Sequence, residues 1–317
     1  MTLERKKRAS GMSNMKRFGL AVGLVLLLLA GGGTLWGWQL YQSAQDTVDT
    51  GMQEDLERDA VSERRVEEAE LDNLDPVSFL LLGTDGEAEG EQGRSDAMLV
   101  ATVNPEDSSM KLTSIPRDTK VTIPGQVNKD KINHAYAYGG SDLALDTVEA
   151  FLDIPLDYVV RVDMEGFTDL VNAVDGVTLE NNLAFEQDGY AFEPGVIELE
   201  GDEALAYVRN RQDDPDGDAG RNDRQQRVIE ALIEEGTQFS SITNVQEIID
   251  SLGDNIRTNL DFDLMTTLLT DYSHVRNDVT THDIDGEGKT IDGIWYLNVP
   301  DDERERISSK LQDHLEL

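Results

Sequence analysis

Two aspartates and a group of arginines are the residues of this sequence most suited to handling a charged substrate. Asp85 directly follows the apolar run VSFLLL and its GT, and Asp96 stands eleven residues on, in GRSDAM. In open α/β sheets, ligands gather at the carboxyl ends of strands. Two carboxylates brought together there repel each other unless a divalent cation lies between them. Mg²⁺ commonly takes one or two carboxylates and fills its other octahedral positions with water and substrate phosphate. The alternative is that Asp85 closes a turn and Asp96 pairs with Arg94.

The arginines call for an anion. The stretch YVRNRQDDPDGDAGRNDRQQR, residues 207–227, holds five arginines and no lysine, after a span from Arg161 to Arg209 with no basic side chain between them. Arginine offers a flat fork of donors that matches a phosphate or carboxylate edge, where lysine is a mobile point charge. Arg209 and Arg211 are two apart and face the same way if the backbone is extended after a helix over 203–208. Arg221, Gln225, Val228 or Ile229, and Leu232 form one helical stripe, oily at one end and polar at the other. That pattern places Arg221 in a polar cavity, with the partial positive charge of the helix N-terminus beside it. Arg224 and Arg227 fall off the stripe and read as members of an exposed network with the nearby acids. Arg117, in SIPRD, is held by the conformationally fixed Pro116. His134 stands beside tyrosines and reads as structural rather than as a base.

Positioning these groups requires alternating strands and helices. Apolar runs at 77–82 and 97–103 have the length of buried central strands. Extended segments follow over 111–123, then a helix over 141–152 capped by Ser141 or Asp142, a strand over 158–162 and a helix over 165–174. Segments 244–252, 264–272, 294–299 (a strand) and 301–314 continue the alternation. The pattern predicts an α/β fold, a three-layer α-β-α domain around a central mixed sheet, over residues 75–317.

The N-terminal part is different. Residues 18–38, FGLAVGLVLLLLAGGGTLWGW, form an uncharged run long enough to cross a bilayer as a helix. Six basic residues and one acid flank it on its N-terminal side, so residues 1–17 form a short cytoplasmic tail and the rest of the chain lies outside a single-pass anchor. That remainder has 21 basic and 63 acidic side chains, a net charge of −42, which argues against a nucleic-acid partner. With no cysteine, disulfides, thiolate metal sites and a Cys nucleophile are excluded. Residues 39–74 are highly charged without an apolar stripe and read as a solvated stalk.

Taken in order after an anchor, LLLGTD, GRSDAMLVATVNP, SIPRDTKVTIPG, KINHAYAYGG, GDEALAYVRNR and GRNDRQQRVIEAL resemble the LytR-CpsA-Psr family, strongly from about Ser78 to Ile233 and more loosely to the C-terminus. The resemblance implies a cell-wall ligase. Such proteins move a glycopolymer, such as teichoic acid or capsule, from an undecaprenyl pyrophosphate carrier to a peptidoglycan hydroxyl, making a phosphodiester. Carried over, Asp85 and Asp96 ligate Mg²⁺, with Mn²⁺ as the alternative ion. Arg94, Arg117, Arg209, Arg211, Arg221 and Gln225 hold the pyrophosphate, and Asp85, Asp96 and Arg117 form the catalytic group. The resemblance also implies an apolar groove for the prenyl chain between sheet and helices. Many family members carry an arginine just after the first aspartate, where this chain has Gly86 and Glu87; an anion-binding donor is missing there. Asp118 and Asp85 are the candidate bases. Two rivals use the same residues: a hydrolase of polyprenyl pyrophosphate with water as acceptor, and a non-catalytic adaptor that binds wall polymer.

Overall fold

The computed structural model describes residues 41–43, 45–58, 61–85, 93–210, 214, 215, 217–236, 255–275 and 278–317. The chain divides into two compact units, Met1–Ser43 and Ala44–Leu317. In the first, only a helical stretch at 41–43 is described. The apolar run 18–38 and the expected helix 244–252 lie outside the described residues, among which no helix is long and apolar enough to cross a membrane.

The larger unit is built on a mixed six-stranded sheet. Its strands are β1 (Val77–Thr84), β2 (Ser95–Asn104), β3 (Ser109–Ser114), β6 (Tyr158–Val162), β11 (Ile256–Thr258) and β12 (Val279–Asp283), in the order β11-β6-β1-β2-β3-β12. The two apolar runs of the sequence are therefore the central pair. β1 runs antiparallel to β2 and parallel to β6. Because side chains alternate across a strand, Leu80, Leu82, Met98 and Val100 enter one core, and Phe79, Ala101 and Val103 enter the other.

Helices cover both faces. On the first, α1 (His134–Leu152) and α6 (Asp301–His314) bring Leu145, Val148, Leu152, Ile307 and Leu311 against the sheet. On the second, α4 (Asp218–Gly236) and α5 (Phe262–Thr270) contribute Ile229, Ile233 and Leu264. A third core joins α2 (Met164–Ala173), α3 (Gly201–Arg209) and one side of α4 to two small ladders. These are β7 (Val177–Asn181) with β10 (Gly195–Leu199), and β8 (Phe185–Gln187) with β9 (Tyr190–Phe192). Two further pairs lie near the end of β3: β4 (Lys120–Val121) with β5 (Asp130–Lys131), and β13 (Glu287–Ile291) with β14 (Ile294–Asn298). The strand expected over 294–299 thus forms, but in a separate hairpin whose partner is its own neighbour.

Local chemistry sets the ends that matter for function. Asp163 caps α2 by accepting from the Gly166 amide at 2.8 Å, and Glu200 and Glu203 make a capping box at the start of α3. The two helices approach so closely that a Cβ on Gly201 would stand 2.4 Å from the Thr168 carbonyl oxygen, which fixes where Arg209 leaves the last turn of α3. In α1 the helical backbone breaks at Gly139 and Gly140, the latter at φ 63°. Ser141 restarts the helix as the sequence predicts, and a short turn carrying His134 and Tyr138 stands before the break.

Residues 44–74 correct the expectation of a solvated stalk. Val48, Met52 and Leu71 are buried, Arg58 meets Glu149 at 2.8 Å, and Arg65 grips both oxygens of Asp157 at 2.6 and 2.9 Å. The folded unit begins at Ala44 rather than at 75. Asp157 also accepts from the Ser78 amide and hydroxyl, each at 2.8 Å, so the pair pins this segment to the start of β1. Arg65 and Asp157 are 9% and 10% exposed, and removing one partner of such a pair strands a buried charge. Arg65→Met is expected to lower unfolding free energy by about 3 kcal/mol, read from urea denaturation midpoints.

His314 offers a second stability test. It is 1% exposed, its Nδ1 lies 2.7 Å from Thr102 Oγ1 and its Nε2 2.9 Å from Ser109 Oγ. Burial, helped by the positive charge of Lys111, pushes its pKa down to about 4. The unfolded chain binds this proton near pH 6.5, so stability is complete above that value and falls as pH drops towards 4. The loss through this window is expected to approach about 3 kcal/mol, and His314→Gln should flatten that part of the stability–pH curve.

Candidate active site

The bottom of the site is the pair Asp85 and Asp96. Asp85 emerges from the end of β1, its amide donating to the Arg94 carbonyl at 3.3 Å, while Asp96 lies at the entry to β2, where the pairing register shifts between Gly83 and Thr84. The two carboxylates lie close enough for each to act on the other's proton affinity. Burial, followed by the bond to and repulsion from Asp96, pushes the Asp85 carboxyl up to about 6. Burial would also raise Asp96, but Arg117 outweighs it and holds that carboxyl below its usual range. Two carboxylates set together mark a site whose negative charge is in excess.

Arg117 supplies the first cation. It follows Pro116 at the end of β3, donates through Nη1 to Asp96 Oδ1, and lies 4.0 Å from Asp118 through Nε. Arg221 comes from the first turn of α4, is buried, and donates to the Asp96 carbonyl at 3.4 Å. Arg209, at the end of α3, is close enough to Asp85 for its charge to lower that carboxyl's pKa; it also touches Met164 Sδ and lies 3.9 Å from Asp188. Three predicted arginines thus converge on the carboxylate pair from three separate elements. Gln225 lies half-buried one turn after Arg221. Arg94 is exposed, its guanidinium near the Tyr138 hydroxyl. Arg211, Gly86 and Glu87 lie outside the described residues.

Arg224 is a correction. It is structural, as expected, but buried rather than exposed, for its fork pairs with Asp214 and donates to the carbonyls of Tyr207 at 3.1 Å and Asn210 at 2.5 Å. It ties α4 to the end of α3 and so sets Arg221 relative to Arg209. Arg227 does belong to a surface network, with Asp223 at 2.9 Å and the Glu180 carbonyl at 2.8 Å.

Beside Arg117 stands a cluster that spacing alone does not reveal. Lys131 reaches Asp118 at 2.5 Å, and Lys120 and Lys131 lie over the Tyr296 ring, 5.0 and 5.9 Å from its centroid. The Asn133 amide donates to the Arg117 carbonyl at 3.3 Å. Asp130 accepts from His134 Nδ1 at 2.9 Å and from the Tyr138 hydroxyl at 2.7 Å. The only sequence signal for this cluster is the motif that carries it, KINHAYAYGG.

A divalent cation fits the carboxylate pair. The donors are hard oxygens, their mutual repulsion is what a cation relieves, and Thr84 and Ser95, one residue before each aspartate, have buried hydroxyls with no hydrogen-bond partner among the described residues. Among those residues no group of three or more His, Cys, Asp or Glu side chains is placed to hold a metal. An ion bound by two carboxylates, with water and phosphate completing its shell, is the habit of Mg²⁺.

The fold is thus a mixed sheet between helix layers, with paired aspartates at its central strand ends and arginines closing over them. The chain belongs to the LytR-CpsA-Psr family: the model of the LytR_cpsA_psr family matches residues 39–313. It is 46% identical over 304 residues, 96% of this chain and 100% of the relative, to a polyisoprenyl-teichoic acid–peptidoglycan teichoic acid transferase TagU of Halalkalibacterium halodurans. A TagU of Enterococcus faecalis is 41% identical over 305 residues, covering 95% of this chain and 97% of that one. Among solved structures, TagT bound to LIIa-WTA superposes with a TM-score of 0.73 at 33% identity, covering 83% of this chain and 100% of the other. The crystal structure of B. subtilis TagU gives 0.63 at 40% identity, over 77% and 98% of the two chains.

Proposed function

We infer that this protein transfers a teichoic acid-like glycopolymer from a polyprenyl pyrophosphate carrier to a peptidoglycan hydroxyl, forming a phosphodiester, and does so at the outer face of the cell membrane. The observation that carries this reading is the convergence of Arg117, Arg209 and Arg221 on the Asp85–Asp96 pair. Relatives spanning nearly the whole chain are named for this transfer.

The residues divide the work by position. Arg117, anchored to Asp96, and Arg221, entering with the first turn of α4, present fixed donors to pyrophosphate oxygens. Arg209 closes the Asp85 side. Phosphoryl transfer needs the reacting groups placed in line and the charge of the leaving phosphate stabilised as it grows. Guanidiniums held by ion pairs and helix ends do this without reorganising. Mg²⁺ or Mn²⁺ bound by Asp85 and Asp96 would neutralise phosphate charge at the same point. An anchor formed by residues 18–38 would keep the site beside a carrier that never leaves the bilayer, raising its effective concentration.

The test uses the full chain in detergent micelles with a polyprenyl-pyrophosphate-linked oligosaccharide and peptidoglycan strands, with Mg²⁺ or EDTA, followed by mass spectrometry. Saccharide joined to glycan through a phosphodiester, only with Mg²⁺, is the expected product. Saccharide phosphate released into solution would replace this reading by a hydrolase, and lipid binding without turnover would replace it by an adaptor.

A further inference from the structure

We propose that His134, oriented by Asp130, is the general base that takes the proton from the attacking hydroxyl, an assignment that rests on the transferase reading above. Any transfer of this kind must remove that proton. Asp85 and Asp96 cannot take it while both are turned to a cation, and Asp118 is committed to Lys131 at 2.5 Å.

The Asp130–His134 pair has the construction of a base. His134 Nδ1 lies 2.9 Å from Asp130 Oδ2, and the same oxygen accepts from the Tyr138 hydroxyl at 2.7 Å. Those two bonds, acting against burial, hold the Asp130 carboxyl below its usual range. An imidazole that donates through Nδ1 to a carboxylate leaves Nε2 as the acceptor. Nε2 has no hydrogen-bond partner among the described residues, and the side chain is 22% exposed. The Tyr138 ring packs edge-on against the imidazole, centroids 5.9 Å apart, which restricts its rotation. A histidine set four residues after an aspartate at the start of a helix is often no more than a local bond; here the surroundings connect it to the carboxylate pair.

The connection runs through the backbone. Asn133, the residue before His134, donates its amide to the carbonyl of Arg117, whose guanidinium holds Asp96. The dyad therefore sits on the β5–α1 turn, one residue from the backbone bond to Arg117.

In the step proposed, the acceptor oxygen forms a bond to the phosphorus that carries the glycopolymer. The bond from that phosphorus to the bridging oxygen breaks, its electron pair leaving on polyprenyl monophosphate. The hydroxyl proton passes to His134 Nε2 and then to solvent. Asp130 is a positioning residue in this scheme.

The experiment is chemical rescue in the full chain. General bases contribute about 10²–10⁴-fold, so His134→Ala should lower kcat for pyrophosphate cleavage by at least about 100-fold with little change in KM for the lipid substrate. Added imidazole should restore at least about tenfold of the loss, and Asp130→Asn should lower kcat without becoming rescuable. A His134→Ala chain within twofold of wild type overturns the proposal. So does a loss that imidazole leaves unchanged, because that marks a structural role. If wild type cleaves the pyrophosphate with water alone, the transferase reading fails instead, and the same rescue, measured on hydrolysis, still decides the role of His134.

Discussion

Arg117→Ala should reduce transfer by about three orders of magnitude or more, with folding intact. The expectation follows from where the charge of the reaction appears: removing one preorganised donor from a developing oxyanion costs about 10²–10³-fold, and Arg117 also holds Asp96. With it gone, Asp96 loses the neighbour that holds its carboxyl below the usual range, so the carboxylate pair proposed to hold a cation is damaged together with the proposed anion site. Arg117→Lys should recover little, because a point charge cannot donate to a carboxylate and a phosphate from one rigid plane. Steady-state kinetics check this, and thermal denaturation checks that the variant is folded.

The second large effect is expected at Asp96. Asp96→Asn retains shape but removes half the negative charge offered to a cation and leaves Arg117 a neutral amide oxygen in place of a carboxylate. Transfer should fall by about 10³-fold or more, and addition of Mg²⁺ should no longer raise the melting temperature. The second readout is independent of activity: a ligand that binds only the folded state stabilises it in proportion to the logarithm of its concentration over Kd. Wild type should therefore melt higher as Mg²⁺ is added, and Asp96→Asn should not.

Which parts of this could be seen in the sequence depends on how local the cause is. Asp85 is legible because a continuous apolar run ending in GTD marks a strand and its carboxyl end, and Asp96 because it stands at the entry to the next apolar run. Arg221 was legible because its stripe runs along one helix. Arg224 falls off that stripe on the helical wheel, just as the surface residue Arg227 does. It is buried because the backbone around Asn210 and Asp214 turns its carbonyl and carboxylate onto the guanidinium, a closure no periodicity encodes. The segment 44–74 reads as solvated in the sequence for a related reason. Its charges look solvated until Arg58 and Arg65 find Glu149 and Asp157, about ninety residues away in the chain. In the sequence His134 stands as a lone histidine, since its partner Asp130 gains meaning only once the turn before α1 is formed.

The fate of the attacking oxygen tests the central claim most directly, and the measurement is transfer by the full chain in H₂¹⁸O with the lipid-linked oligosaccharide, peptidoglycan strands and Mg²⁺. If a sugar hydroxyl attacks at the Asp85–Asp96 site, the phosphodiester joining saccharide to glycan and the polyprenyl monophosphate released will both carry no ¹⁸O. Label in a saccharide monophosphate, with no phosphodiester formed, would mean that water is the acceptor, and would contradict the account.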